Sequence, residues 1–368
     1  MEENRLFGFT IGRDVVNIGR QKELDWAKAF TIIVMVIIHT YEQLSVIDAE
    51  EIPTDLFRII LEFLAGPLGA PVFMFAMGVG IVYSKNNQPT KMTRRGLLLV
   101  RNGYLLNFFK GTVPVLIAMA LGVTAPITIV GSLFIVSILQ FAGMAFLTIA
   151  LMKRRKVSLP VMFIIAIVLS IAGAMLAKID MSSSWLQYFF GLFFMTNDIT
   201  TFPLFLWLYY PLLGMAFASL LRRVTDKGSF YFRILLTGIT GTILVSVIYI
   251  FAGIDIKTMF MLSGRVFYAQ TILHYIFTTF VIMIALPIYY GCSKYIRFAP
   301  IEKMVAYLGN NLPTIYIVQW IVIHYVQGIM TTLGIPWFEK PMIIPAGLVI
   351  VVVSVSITAL WRKIRIGK

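Results

Sequence analysis

Long apolar runs follow one another along the chain, separated by short stretches that hold charges, glycine or proline. Ten of them are long enough to cross a bilayer: Leu24 to Leu44, Leu56 to Tyr83, Gly96 to Leu121, Ile127 to Met152, Leu159 to Leu176, Phe202 to Leu221, Tyr231 to Gly253, Gln270 to Tyr290, Met304 to Ile329 and Met342 to Trp361. A hydrocarbon core of about 30 Å takes roughly 20 apolar residues of helix. A membrane β-barrel would instead show alternating strands. The expected fold is all-α: a polytopic membrane helical bundle of about ten transmembrane helices. It forms one unit over residues 24–361, between an amino-terminal segment, 1–23, and a basic tail, 362–368. Several runs exceed the minimum length, which leaves room for tilt, kinks or partial unwinding.

Composition agrees: 59% of residues are hydrophobic and 13% charged, and the mean hydropathy is +0.87. No water-soluble surface has that balance. A net charge of +14 would suggest nucleic acid in a soluble protein, but its distribution says otherwise. Of 31 Lys and Arg, 22 fall in the amino-terminal segment, the Lys85 to Arg95 loop, Lys153 to Lys156, Arg222 to Lys227, Lys294 to Lys303 and the tail. The alternate loops hold Lys178, Lys257, Arg265 and Lys340, and the first of them is acidic, with Asp48, Glu50, Glu51 and Asp55. The positive-inside rule then puts both termini in the cytoplasm. The expected partners are membrane lipids rather than nucleic acid, with a homo-oligomer left open. The expected location is a bacterial cytoplasmic (plasma) membrane, multi-pass. The first 23 residues have no long apolar core or small-residue cleavage site, so the first span is expected to be its own insertion signal. Cys292 is the single cysteine and its neighbours offer no metal-ligand spacing, so neither a disulfide nor a metal site is expected.

Five basic residues, Lys28, Arg58, Arg101, Lys110 and Arg233, fall within or at the ends of spans. A charge there costs at least ~2.5 kcal/mol unless it faces the bundle interior or snorkels. Arg233 is expected to snorkel. In the first span Lys28 and His39 are eleven residues apart, three turns of helix, so they share a face. Asp25, three residues before Lys28, is on the same face and can pair with it. His274, His324 and Glu62 fall in the same outer halves of spans, which suggests one ionisable level. A histidine beside a carboxylate suits proton transfer near neutrality. The blander readings are a packed histidine at position 39, an N-cap at Asp25 and interfacial placement of His274 and His324. Gly66-Pro67-Leu68-Gly69-Ala70-Pro71 interrupts the second span, either as an ordinary kink or as a break whose freed backbone lines a polar cavity. Arg94, Arg95 and Arg101 cluster at the entry to the third span, as inner anchors or as phosphate ligands.

Leu24-Asp25-Trp26-Ala27-Lys28, ten residues and His39 resemble the first-helix signature of the acyltransferase-3 membrane acyltransferases, in which a Leu-Asp pair precedes an arginine, ten residues and a histidine. Gly69 to Gly78 is similar to the second-helix motif of that superfamily. It is more similar still to the branch containing heparan-α-glucosaminide N-acetyltransferase, as are Arg94-Arg95-Gly96-Leu97-Leu98 and the stretch from Pro203 to Gly214 with Trp207 and Pro211. Leu308-Gly309 through Tyr316 to Gln319 resembles a late helix in which many relatives carry histidine instead of Gln319. Lys28 stands in place of the expected arginine, keeping the charge and losing the bidentate fork.

The resemblance implies transfer of an acyl group, acetyl being expected, from cytosolic acyl-CoA to a hydroxyl or amine. The acceptor, expected to be a saccharide, would be reached from the outer side. Asp25, Lys28, Arg94, Arg95 and Arg101 would bind or support the donor, and the thioester would reach His39 through the bundle. His39, with Glu62 as orienting partner, would act as general base or carry the acyl group covalently. His274, Gln319 and His324 would line the acceptor side. The rival readings are a proton-coupled transporter or flippase of a small polar or lipid-linked solute, and a scaffold without turnover. No internal repeat relates the two halves, which counts against transport.

Overall fold

The structure is a computed structural model, and it describes residues 4–6, 9–11, 14–49, 51–122, 128–179, 181–196 and 200–366. Arg13, Glu50, Ile127 and Lys368, which entered the loop and span assignments, lie outside the described residues.

The expected polytopic helical bundle is what forms. Among the described residues nine helices are long and apolar enough to cross a membrane, beginning with Lys22–Leu44 and ending with Lys340–Ile364. The fourth run, Ile127 to Met152, folds as a helix of 17 residues, Ile138–Arg154, just under spanning length, because its first part forms a separate turn, Ile129–Leu133. One small departure from an all-helical chain is an antiparallel pair of three-residue strands, Asn4–Leu6 and Phe9–Ile11.

In chain order the helices are α1 (Lys22–Leu44), α2 (Leu56–Ala65), α3 (Ala70–Tyr83), α4 (Pro89–Asn107), α5 (Val113–Ala120), α6 (Ile129–Leu133), α7 (Ile138–Arg154), α8 (Leu159–Leu176), α9 (Ser184–Phe190), α10 (Leu204–Trp207), α11 (Tyr209–Leu221), α12 (Lys227–Phe251), α13 (Ile272–Tyr295), α14 (Ala299–Leu333) and α15 (Lys340–Ile366). The first helix is the hub: α1 packs against α3, α13, α14 and α15. Apolar residues surround its axis, and Ile32, Val36, Tyr41 and Leu44 are all inaccessible or nearly so. A helix wrapped this way can hold polar side chains away from lipid, which α8 and α12, with rows of exposed Ile, Leu and Val, cannot.

Small residues set the closest helix contacts. A methyl group on Gly78 of α3 would overlap the Pro211 carbonyl of α11, and one on Gly214 of α11 would overlap the Phe75 carbonyl of α3. Gly96 of α4 and Gly143 of α7 are reciprocal in the same way, each facing the other's carbonyl. In a bilayer, where burial from water no longer drives association, such backbone-to-backbone approach supplies much of the packing energy.

The second span breaks where the proline and glycine run predicts, between α2 and α3. The freed carbonyl of Leu68 takes a hydrogen bond from the Thr31 hydroxyl of α1, 3.1 Å away, so the break is tied to the hub. Basic loops gather at one end: Lys153 reaches the Asn87 carbonyl, Lys22 pairs with Glu302 and Lys227 pairs with Glu23. The alternate loops meet at the opposite end, where Lys340 pairs with Asp55 and Ser45 bridges to Phe338.

Candidate functional site

Three turns separate Lys28 from His39, and the two ends of that column lie in different surroundings. At the basic end Asp25 accepts from Arg20, Nε to Oδ2 at 2.6 Å, so its ion pair goes to Arg20 and not to Lys28. Lys28, half-buried, lies within electrostatic range of Asp25, Arg20 and Arg95. Arg20 also reaches Asn310 Oδ1 at 3.2 Å, and the Arg95 guanidinium stands 4.8 Å from the Phe146 ring centre. Three cations thus gather at this end, with Asp25 paired to one of them. Arg94 and Arg101 do not join them: both lie on the exposed face of α4 with Leu98 and Leu105, and Arg101 bonds its neighbour Asn102. Seven residues apart on a helix, they share a lipid-facing stripe, which is where long basic side chains snorkel.

At the other end His39 meets α14. Its Nδ1 lies 3.3 Å from Gln319 Oε1, its ring centre 4.0 Å from that of Trp320 at a 33° tilt, and its edge faces Tyr316 at 6.4 Å. These residues, with His324, recur at positions 316, 319, 320 and 324, the helical spacing that puts them on one face of α14. An amide oxygen only accepts, so Nδ1 carries the proton and donates, and Nε2 is the ring's acceptor nitrogen. Gln319 is fully buried, and its Nε2 finds no partner among the described residues.

His39 is in the wall of a cavity of about 500 Å³ that runs to the end of the bundle holding the first acidic loop. Glu42, Asp48, Lys110, Ser137, Arg265 and His324 supply its polar wall, and Trp320, Tyr316, Tyr268 and Phe202 its aromatic wall. Ala65 and Ala70, on either side of the break in the second span, line it as well. On α1 the lining begins at Met35, so the cavity does not extend to Lys28. Between them lies apolar packing of Ala29, Ile32, Phe73, Met74 and Leu312. The cavity therefore gives no route from the basic end to His39.

Two expected members of the site are elsewhere. Glu62 is fully buried and holds together the opening of the second span: its carboxylate accepts from the Tyr41 hydroxyl at 3.0 Å, from the Leu262 N–H at 3.0 Å and from Arg58 at 3.4 Å. The group that bonds His39 is Gln319, not Glu62. His274 caps α13: its Nδ1 accepts from the Thr271 hydroxyl at 2.8 Å and its Nε2 donates to the Thr258 carbonyl at 3.3 Å. The common ionisable level thus reduces to His39 and His324, whose Nδ1 donates to the Trp320 carbonyl at 3.0 Å.

Residues the sequence reading left unassigned complete the wall. Glu42, three residues after His39, follows it on the same helix face. Lys110 comes from a π-helical turn, Phe108–Thr112, inserted between α4 and α5; its Nζ stands 4.0 Å from the Trp320 ring centre.

Neither a curated protein nor a solved structure matches the chain significantly. The family profile described as an acyltransferase domain, that of acyltransferase-3, matches residues 21–361, from just before α1 to near the end of α15. That stretch contains both ends of the polar column and every helix that lines the cavity, and the chain belongs to the acyltransferase-3 family of membrane acyltransferases.

Proposed function

We propose that the protein moves an acyl group, acetyl in the simplest case, from cytosolic acyl-CoA to a hydroxyl or amine of an acceptor that enters from the outer side. The observation that carries this reading is the placement of His39: an imidazole whose Nδ1 lies 3.3 Å from Gln319 Oε1, in the wall of a cavity of about 500 Å³. The lopsided distribution of Lys and Arg supports a cytoplasmic basic end. There Arg20, Lys28 and Arg95 suit the phosphates of CoA, with Arg20 half exposed. The mixed polar and aromatic wall suits a saccharide, which needs both hydrogen-bonding groups and flat apolar faces.

The chemistry follows from the tautomer. With Nδ1–H held by Gln319, Nε2 takes the acceptor's proton as its oxygen or nitrogen attacks the thioester carbonyl. The tetrahedral adduct then collapses, the C–S bond breaks, and the proton passes from His39 to the departing thiolate. No covalent acyl-histidine is needed in this sequence.

The test is turnover of labelled acetyl-CoA by the purified protein in nanodiscs, with mono- and oligosaccharide acceptors. His39→Ala should lower turnover by about 10²–10⁴-fold, the range for a general base, while keeping its size-exclusion profile. Turnover within threefold of wild type in that variant removes His39 from the chemistry. Solute uptake into proteoliposomes without CoA consumption would replace the enzyme with a transporter.

A further inference from the structure

Lys110 is a cation buried within the bundle. Its residue is 6% exposed, whereas its neighbours Phe108 and Phe109 are 40% and 49% exposed and face outward. Lys110 is seven residues after Gly103 and four after Leu106, both inward-facing, so the helical repeat of α4 carries it into the bundle opposite Arg101, and the π turn Phe108–Thr112 begins at that point.

Burial alone does not make a site, since Arg58 is buried too. Arg58, however, is matched: its guanidinium donates to the Tyr41 hydroxyl at 2.9 Å, the Glu51 carbonyl at 2.6 Å and the Glu62 carboxylate. Lys110 has no hydrogen bond and no ion pair within 4.0 Å among the described residues. Its Nζ stands over the indole of Trp320, and Glu42 acts on it through electrostatic attraction. Its ammonium lies in the wall of the cavity, with three donors available to whatever enters.

The indole under Lys110 is the one on which His39 rests. Base and cation therefore share a single support. We infer that Lys110 is the electrophilic catalyst of the reaction, the cation that takes the negative charge developing on the acyl oxygen while His39 takes the acceptor's proton. This deepens the acyl-transfer reading and rests on it.

The step balances within the groups named. The acceptor's O–H or N–H proton goes to His39 Nε2, and its heavy atom forms a bond to the thioester carbon. The carbonyl π pair moves to oxygen, giving the oxyanion that Lys110 faces with a hydrogen bond and a full charge. As the carbonyl re-forms, the C–S bond breaks and the thiolate receives the proton from His39. Products are the acyl ester or amide and CoA thiol. A charge placed where the oxyanion forms, in a site largely closed to water, is worth far more to the transition state than to the neutral thioester.

The test compares Lys110→Met and Lys110→Arg with wild type, using acetyl-CoA as donor and either water or D-glucosamine as acceptor. Methionine keeps an unbranched apolar chain over the indole, so Lys110→Met is expected to fold with an unchanged or raised thermal midpoint. Its kcat should fall by about 10²–10³-fold, the usual effect of removing an oxyanion donor, with the KM for acetyl-CoA within about twofold. Lys110→Arg, which keeps the charge, should recover at least a tenth of wild-type kcat. A rise in KM with kcat held would make Lys110 a binding residue and overturn the inference, as would equal losses in the two variants. If wild type itself releases no CoA from acetyl-CoA with either acceptor, the acyl-transfer reading fails first and Lys110 falls with it.

Discussion

Gln319 both orients the base and strains the bundle, and these two effects separate in one substitution. Replacing it with leucine, of similar volume, removes the acceptor from His39 Nδ1 and removes the Nε2 donor that is buried without a partner. The lost bond is 3.3 Å long, against a usual ~2.9–3.0 Å for N–H···O, so it belongs at the weak end of the net scale, about 0.5–1 kcal/mol. If that energy holds the imidazole in its productive tautomer, kcat should fall only about 2–5-fold, since tenfold takes about 1.4 kcal/mol. Stability should move the other way. An unsatisfied buried donor costs about 1–3 kcal/mol, so deleting it outweighs the lost bond by roughly 0.5–2 kcal/mol.

The assay pairs acetyl-CoA turnover with a thermal melt of the same nanodisc preparation. Gln319→Leu should melt one to a few degrees higher than wild type while turning over more slowly. Two results would refute the reasoning. A variant that is both less stable and less active would mean that Gln319 is satisfied in the folded protein and serves as a structural support. A loss as large as that of His39→Ala would mean that the amide touches the reacting atoms.

Two further expectations concern the scaffold. Gly214→Ala places a methyl group against the Phe75 carbonyl where α3 and α11 cross, and overpacking of this kind costs about 1–3 kcal/mol or more. Gly80→Ala on α3, with open space around it, should leave the melting midpoint unchanged or slightly raised, and equal effects of the two would remove the close-contact argument. Asp55 caps α2 through the Arg58 N–H and pairs with Lys340 at 2.9 Å. The Lys340 hydrogen bond, with help from the capped N–H, holds its carboxyl below the usual range. Its contribution is therefore full above the ordinary carboxylate value of about 3.9 and is lost as pH falls from there through the lowered value. Asp55→Asn keeps a capping side chain, so its melting deficit at pH 7 should begin to shrink as pH falls below about 4; a deficit that stays constant as the pH is lowered further would place the effect elsewhere.

The architecture was legible wherever one physical quantity dominated. Span length follows from bilayer thickness, and the end at which each loop lies follows from its Lys and Arg. The column from Lys28 to His39 could be read because eleven residues close on three turns of a single uninterrupted helix. Reading failed where a local irregularity changed the phase. The fourth run lost its start to α6. It failed again where depth stood in for contact. Thr271 three residues before His274 is a capping spacing, and Arg58 four residues before Glu62 is an ion-pair spacing. Both local signals were present, and each identified its residue as structural.

Satisfaction, more than burial, therefore separates the two kinds of polar group in this bundle. Glu62, Arg58 and His274 are deep, but each has acceptors or donors enough from its own chain, and a ligand approaching them would have to break bonds already made. His39, Lys110 and Gln319 keep unused capacity: a ring nitrogen, an ammonium and an amide N–H, with His39 and Lys110 both against one indole. In a hydrocarbon surround that capacity is costly to maintain and contributes nothing to folding. A bundle that retains it in a base and a cation on the wall of a cavity reaching one end of the molecule is arranged for a guest whose own polar groups complete the set.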